Sequence, residues 1–208
     1  MAWQVNDMVG VQQRKPPRLS VELFRRFVDN RPDEEHWELI AGVAMMMAPP
    51  TLAHQVIAGN LQSLLNGALE THAPALISCQ RAGVNLAPAV EDYDPEPDIV
   101  VIDSEAAERP GERYAARFYL VAEIVSASDR VDVESKRGVY KLHESCKCIV
   151  TVQQDRCEVR VDLRTESGWT EQILAKLDDV LELTEFGLRC KLAELYRGTA
   201  IQPRKSQR

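Results

Sequence analysis

Two short apolar runs that each carry one acidic residue constrain this chain more than any other feature. They are PDIVVI at residues 97–102, which contains Asp98, and YLVAEIV at residues 119–125, which contains Glu123. Such runs are typical of buried strands, where a lone carboxylate loses its hydration and needs a partner. Lys136 follows on a predicted helix. Two such carboxylates with a nearby cation predict a divalent-metal site and the chemistry of phosphodiester hydrolysis.

The length of the chain predicts one domain. With 208 residues and a hydrophobic content of 45%, it can bury a substantial core, and no change in composition divides it. We expect a flexible tail at residues 1–17, a single domain at 18–198 and a flexible basic tail at 199–208. No apolar run approaches the roughly 20 residues of a membrane span, so no membrane partner is expected. The first residues do not resemble a secretory signal, which favours a cytoplasmic location.

The net charge of −7 argues against a passive DNA coat, because such proteins are usually basic over their binding face. It does not exclude a metal-dependent nuclease, since acidic metal ligands add to the negative total and a bound cation reverses the local sign. The five cysteines lack the paired spacing of a zinc site and are interpreted as free thiols.

Local signals place the remaining candidate residues on secondary structure. Ser20 is typical of a helix N-cap, and a hairpin is predicted around Ala41-Gly42, with Glu38 on its first strand. Thr51 is expected to cap a long helix that has His54 in its first turn. A helix at about residues 131–144, preceded by a capping cluster at 126–129, would place Lys136 and Tyr140 on one face. A second hairpin is predicted at residues 148–163.

Several short motifs occur in a specific order. They are WELIAG at residues 37–42, MAPP at 47–50 with His54, PDIVV at 97–101, LVAEIVS at 120–126 with Ser128, and Lys136 with Tyr140. In order and spacing, from about residue 20 to 196, they resemble the Uma-two group of endonucleases, part of the PD-(D/E)XK nuclease superfamily. The resemblance implies an α/β fold with a restriction endonuclease-like core, in which helices flank a central mixed β-sheet.

The resemblance also implies roles for individual residues. Asp98 would be the acid of the PD motif and Glu123 the second metal-binding acid, holding Mg²⁺ or Mn²⁺ together with a backbone carbonyl near Ile124. The commonest superfamily form has its lysine two residues after the second acid, where this chain has Val125. Lys136, on the following helix, is therefore the candidate lysine.

Three further residues are expected to take part in the site, with Glu38 and His54 at its edge. Tyr140, one helical turn after Lys136, would hold that lysine or contact a phosphate oxygen. Glu38 and His54 match further positions of the resemblance.

Each assignment has a structural alternative. Asp98 follows a proline and could cap a turn, whereas Glu123 could belong to a buried salt bridge. Lys136 could lie on a solvated helix face. His54 could make a single hydrogen bond near the helix start, and Glu38 could be an exposed cross-strand partner.

The leading interpretation is a metal-dependent endonuclease that hydrolyses DNA with a metal-activated water. The first alternative is a catalytically silent domain of the same fold that contacts protein or nucleic acid. The second is a metal-dependent hydrolase of another phosphate ester. A homodimer would suit cleavage of both strands, although no interface is visible in the residues.

Overall fold

A six-stranded mixed sheet flanked by helices forms the centre of the molecule, which confirms the predicted α/β class. This computed structural model describes residues 18–32, 34–125 and 130–203. The helices are α1 (Val21–Val28), α2 (Leu52–His72), α3 (Ser104–Ala107), α4 (Arg130–Tyr140) and α5 (Leu192–Leu195), with a 3₁₀ turn at Thr184–Phe186. The strands are β1 (Trp37–Ile40), β2 (Val43–Met46), β3 (Leu76–Gln80), β4 (Gly83–Val84), β5 (Ile99–Asp103), β6 (Tyr114–Ala115), β7 (Phe118–Val125), β8 (Cys148–Gln153), β9 (Val159–Thr165), β10 (Gly168–Leu174), β11 (Val180–Leu183) and β12 (Leu188–Lys191).

The order of the central sheet is β10-β9-β8-β7-β5-β3. β7 and β8 pair in parallel, with α4 in the connection between them, and the other neighbours pair antiparallel. Both faces of β7 are covered, so its sequence is a nearly continuous apolar run. Helix α2 packs Ile57, Leu61, Leu65 and Leu69 into the larger core on one face. Glu123 is thus set in the middle of a buried sheet.

The predicted helix starts and hairpins agree with the structure. Ser20 and Thr51 are the N-caps of α1 and α2. Their hydroxyl oxygens accept hydrogen bonds from the amides of Leu23 and His54, each three residues later. The β1–β2 turn places Ala41 at φ 49° and Gly42 at φ 77°, as a tight hairpin turn with two left-handed residues requires. A Cβ at Gly42 would lie 2.6 Å from Arg18 Cβ, so glycine is also needed for space.

Helix α4 ends at Tyr140, four residues before the predicted end at 144. The chain turns there because the His143 ring stacks on Phe118, with ring centroids 4.4 Å apart, and its amide donates to the Tyr140 carbonyl. Arg137 of the helix and Lys141, the residue after its end, anchor α4 to β9, because both bind the buried carboxylate of Asp162. This anchor sets the position of Lys136 and Tyr140.

Parts of the predicted tails and cap fall outside the described residues. These are residues 1–17, the capping cluster at 126–129 and residues 204–208. The beginning of the predicted carboxyl-terminal tail is described, and there the hydroxyl of Thr199 donates to the Tyr196 carbonyl at 2.7 Å.

The five cysteines are free thiols. Within the described ranges, no helix combines the length and apolar character needed to cross a membrane.

Candidate active site

A cleft of about 650 Å³ opens beside the ends of β5 and β7, below the β1–β2 hairpin. Its walls also include the amino-terminal end of α2 and one face of α4. The structure brings five of the six candidate side chains to this cleft, namely Glu38, His54, Asp98, Glu123 and Lys136. They come from β1, α2, the start of β5, β7 and α4, so the convergence depends on the whole fold.

Asp98 joins the two central strands at the edge of the cleft. It lies one residue before β5, which begins at Ile99, and its Oδ2 accepts the Ile124 amide of β7 at 2.7 Å. His54 Nε2 lies 3.1 Å from the same oxygen. Because a carboxylate can only accept, the histidine is assigned a proton on Nε2. His54 and the β7 backbone therefore fix the orientation of this carboxylate.

Glu123 is a buried acid of the cleft, with a side chain that is only 7% exposed. Its Oε1 accepts the Tyr140 hydroxyl proton at 2.7 Å and lies 3.5 Å from Lys136 Nζ. Burial raises the pKa of Glu123 to about 7, and repulsion from Asp98 and Glu38 adds to the rise, while Lys136 and Tyr140 oppose it. Tyr140 thus contacts the second acid directly, rather than the lysine.

Lys136 lies between two buried carboxylates. Its Nζ is 2.8 Å from Glu38 Oε1 and 2.7 Å from Glu38 Oε2, the latter outside hydrogen-bonding geometry. Burial disfavours the ammonium, but attraction to Glu123 and Glu38 outweighs that effect and raises the pKa of Lys136. The lysine therefore stays charged. Because its side chain is only 6% exposed, the alternative of a solvated helix face is wrong.

Glu38 is buried and is not the exposed cross-strand partner of its structural alternative. Its side chain is only 4% exposed, and Oε1 accepts the Glu96 amide at 2.9 Å as well as the Lys136 proton. The alternative is wrong because the strand turns this face inward, onto α4 and the segment that precedes Asp98. Glu38 instead holds Lys136 in place.

The donors at the cleft fit a hard divalent cation. Asp98 and Glu123 present carboxylates, and Ile124, whose amide binds Asp98, lines the same wall. Repulsion from Asp98 is one cause of the raised pKa of Glu123, and a cation between them would relieve it. Among residues 18–32, 34–125 and 130–203, no three His, Cys, Asp or Glu side chains form a complete metal cluster. Mg²⁺ tolerates such a site, because it keeps several waters and uses one or two carboxylates plus substrate phosphate.

Sequence reasoning missed two charged residues of the cleft, Glu96 and Arg81. Glu96 is half-buried, and burial raises its pKa, with Arg81 opposing the rise. Its signal was present, because it lies two residues before Asp98 and extended residues two apart share a face. Arg81 follows β3 in a turn and carries no comparable signal, since only tertiary packing brings it to the cleft.

A protein-family comparison connects this geometry to known sequences. The family profile described as "Putative restriction endonuclease", Uma2, matches residues 21–193. This chain belongs to the Uma2 family. The matched segment contains all of the candidate site residues, and Uma2 membership confirms the resemblance inferred from the short motifs.

A solved structure shares the fold of this Uma2 protein. It is described as "a putative nuclease belonging to DUF820 from Anabaena variabilis ATCC 29413". The TM-score is 0.64 at 15% identity, and the match covers 83% of this chain and 96% of that one. At that identity the likeness shows the fold alone. No curated protein matches the chain.

Proposed function

We propose that this Uma2 protein is a metal-dependent endonuclease that hydrolyses DNA phosphodiester bonds. The observation that carries the proposal is the convergence of Asp98, Glu123 and Lys136 from three separate elements in one cleft. Burying charged groups is costly unless they pair, and a fold that places two acids and one lysine together retains them for a purpose such as catalysis. Uma2 membership supports a nuclease.

The metal ligands would be the carboxylates of Asp98 and Glu123 with the carbonyl of Ile124. When bound, Mg²⁺ or Mn²⁺ supplies Lewis-acid stabilisation of the phosphate and lowers the pKa of a water ligand. His54 holds the Asp98 carboxylate in orientation through its Nε2 proton. Tyr140 does the same for Glu123 through its hydroxyl.

Lys136 places a permanent positive charge beside the second acid. An ammonium there can orient an attacking water or stabilise the negative charge that develops on the phosphate. Glu38 sets its position through the 2.8 Å hydrogen bond. Glu38 is thus a positioning residue, and Lys136 is the residue that would face the phosphate.

The test is cleavage of supercoiled and linear DNA by wild type, Asp98→Ala and Lys136→Ala, each with Mg²⁺, Mn²⁺ or EDTA. The expected result is metal-dependent nicking by wild type that both substitutions abolish. Loss in Asp98→Ala alone would keep the metal site and remove Lys136 from catalysis. Nicked circles that accumulate before linear product would indicate single-strand cuts, whereas direct linearisation would favour two copies acting together as a homodimer.

One observation favours the alternative of a catalytically silent domain. Lys136 already has two carboxylates within 3.5 Å, so its charge is partly neutralised before any phosphate arrives. Absence of cleavage by purified wild type, with no effect of metal on its thermal unfolding, would support this alternative. Cleavage of nucleotides or model diesters but not of DNA would instead indicate a hydrolase of another phosphate ester.

A further inference from the structure

The charges that line the cleft do not suit an anionic substrate unless a free cation is present. Four of the described lining residues are acids, Glu38, Glu96, Asp98 and Glu123, while only Lys136 and Arg81 are permanent cations. Lys136 is only 6% exposed and bound to carboxylates. Even with a metal at Asp98 and Glu123, Glu38 and Glu96 leave negative charge in the cleft, and a phosphodiester that enters it would be favoured by a positive side chain other than Lys136.

Arg81 differs from Lys136 in both exposure and partners. Its side chain is exposed at the cleft, and no carboxylate of the described residues forms a salt bridge with it. The guanidinium Nη1 donates to His36 Nε2 at 3.1 Å, which makes His36 a neutral acceptor with its proton on Nδ1. This bond orients the guanidinium, whose charge acts on the nearby Glu96 carboxylate without forming a salt bridge with it.

The backbone ties Arg81 to the strand that follows the first acid. The Arg81 amide donates to the Asp98 carbonyl at 3.3 Å, so the turn after β3 and the start of β5 move together. Arg81 adopts φ 55°, a left-handed conformation that is unfavourable for a residue with a Cβ. Strained residues of this kind persist where the surrounding structure holds them and are frequent at functional sites.

We propose that Arg81 binds a backbone phosphate of the DNA strand next to the phosphate that is cut. This inference rests on the proposed nuclease function and adds the residue that positions its substrate. A guanidinium suits this role because its planar fork can donate two parallel hydrogen bonds to phosphate oxygens. His36 is the positioning partner that holds the fork toward the cleft.

The test compares Arg81→Ala, Arg81→Gln and Arg81→Lys with wild type in full-length protein. Glutamine keeps a donor for His36 without the charge, and lysine keeps the charge without the fork. Arg189→Ala is the matched control, because Arg189 is exposed on β12 and does not line the cleft. The three substitutions at position 81 all retain a Cβ, so none relieves or adds backbone strain there.

The first measurement is the affinity for a short labelled duplex in EDTA, titrated from about 50 to 200 mM salt. Arg81→Ala and Arg81→Gln should weaken binding about tenfold. The slope of log K against log salt should become shallower by about 0.9, the loss of one phosphate contact. The affinity of Arg81→Lys should lie between those of the other two Arg81 variants and wild type. Arg189→Ala should match wild type in affinity and slope.

The second measurement is steady-state cleavage with Mg²⁺. Arg81→Ala should raise KM with little change in kcat, because the contact is made in both the ground and transition states. If wild type cleaves DNA but Arg81→Ala and Arg81→Gln match Arg189→Ala in affinity, slope and KM, the role of Arg81 is overturned and the nuclease stands. If wild type neither binds nor cleaves DNA, the proposed function fails, and the role of Arg81 fails with it.

Discussion

Replacing Lys136 by methionine removes one ammonium and keeps a similar apolar stem. In the wild type, Lys136 Nζ lies 2.8 Å from Glu38 Oε1 and 3.5 Å from Glu123 Oε1, and the three side chains are between 4 and 7% exposed. Breaking a buried ion pair by removing one partner typically costs about 3–5 kcal/mol. Because the pKa of Glu123 is already raised to about 7, this carboxyl can take up a proton and limit the penalty. We expect a loss of about 3 kcal/mol in the free energy of unfolding at pH 8.

The loss should depend on pH with a definite sign. Without Lys136, the pKa of Glu123 rises further above its unfolded value of about 4.5. A carboxyl with a raised folded-state pKa destabilises the fold above that pKa and not below the unfolded-state pKa. The difference between wild type and Lys136→Met should therefore shrink as the pH falls from about 8 to about 5.

Urea unfolding followed by tryptophan fluorescence measures this loss. Lys176→Met is the matched control, because Lys176 is exposed, and it should change stability by less than about 0.5 kcal/mol. The double variant Glu38→Gln/Lys136→Met should be more stable than the sum of the single losses predicts, by about 1 kcal/mol or more. A Lys136→Met protein as stable as the control variant at pH 8 would refute the reasoning.

Two further substitutions test the support of the site. Burial opposes ionisation of Asp162, but Arg137 and Lys141 outweigh that effect and lower the pKa of Asp162. The ionised carboxylate therefore stabilises the fold fully above its unfolded-state pKa of about 4, and this stabilisation is lost as the pH falls through the lower folded-state pKa. Asp162→Asn should therefore cost about 3 kcal/mol at pH 7, with urea midpoints that converge with wild type only in acid below about pH 4. Tyr140→Phe removes the hydrogen bond to Glu123 and should cost about 2 kcal/mol in the same assay, whereas an unchanged midpoint would show that this bond contributes nothing.

Elements with local signals could be predicted from the sequence. Ser20 and Thr51 cap helices because a hydroxyl three residues before a free amide is sufficient for that role. The β1–β2 hairpin forms where the two-residue loop contains Gly42. The grouping of Asp98, Glu123 and Lys136 could be anticipated as well, because the motif order resembled a known family, Asp98 directly precedes an apolar run and Glu123 interrupts one.

Features that depend on distant pairing could not be predicted. The order β10-β9-β8-β7-β5-β3 joins strands far apart in the chain, and no local pattern specifies it. The burial of Glu38 depends on a lysine 98 residues away. Arg81 reaches the cleft because its turn bonds to Asp98, a contact between chain segments with no shared pattern.

Calorimetric titration with Mn²⁺ tests most directly whether Asp98 and Glu123 hold one divalent cation together. Wild type should bind a single ion, and Asp98→Asn and Glu123→Gln should each abolish that binding while remaining folded. Asp178→Asn is the control, because the Asp178 side chain is 89% exposed and does not line the cleft. Saturable binding that is the same in all four proteins, or no binding by wild type, would contradict a metal site formed by these two acids.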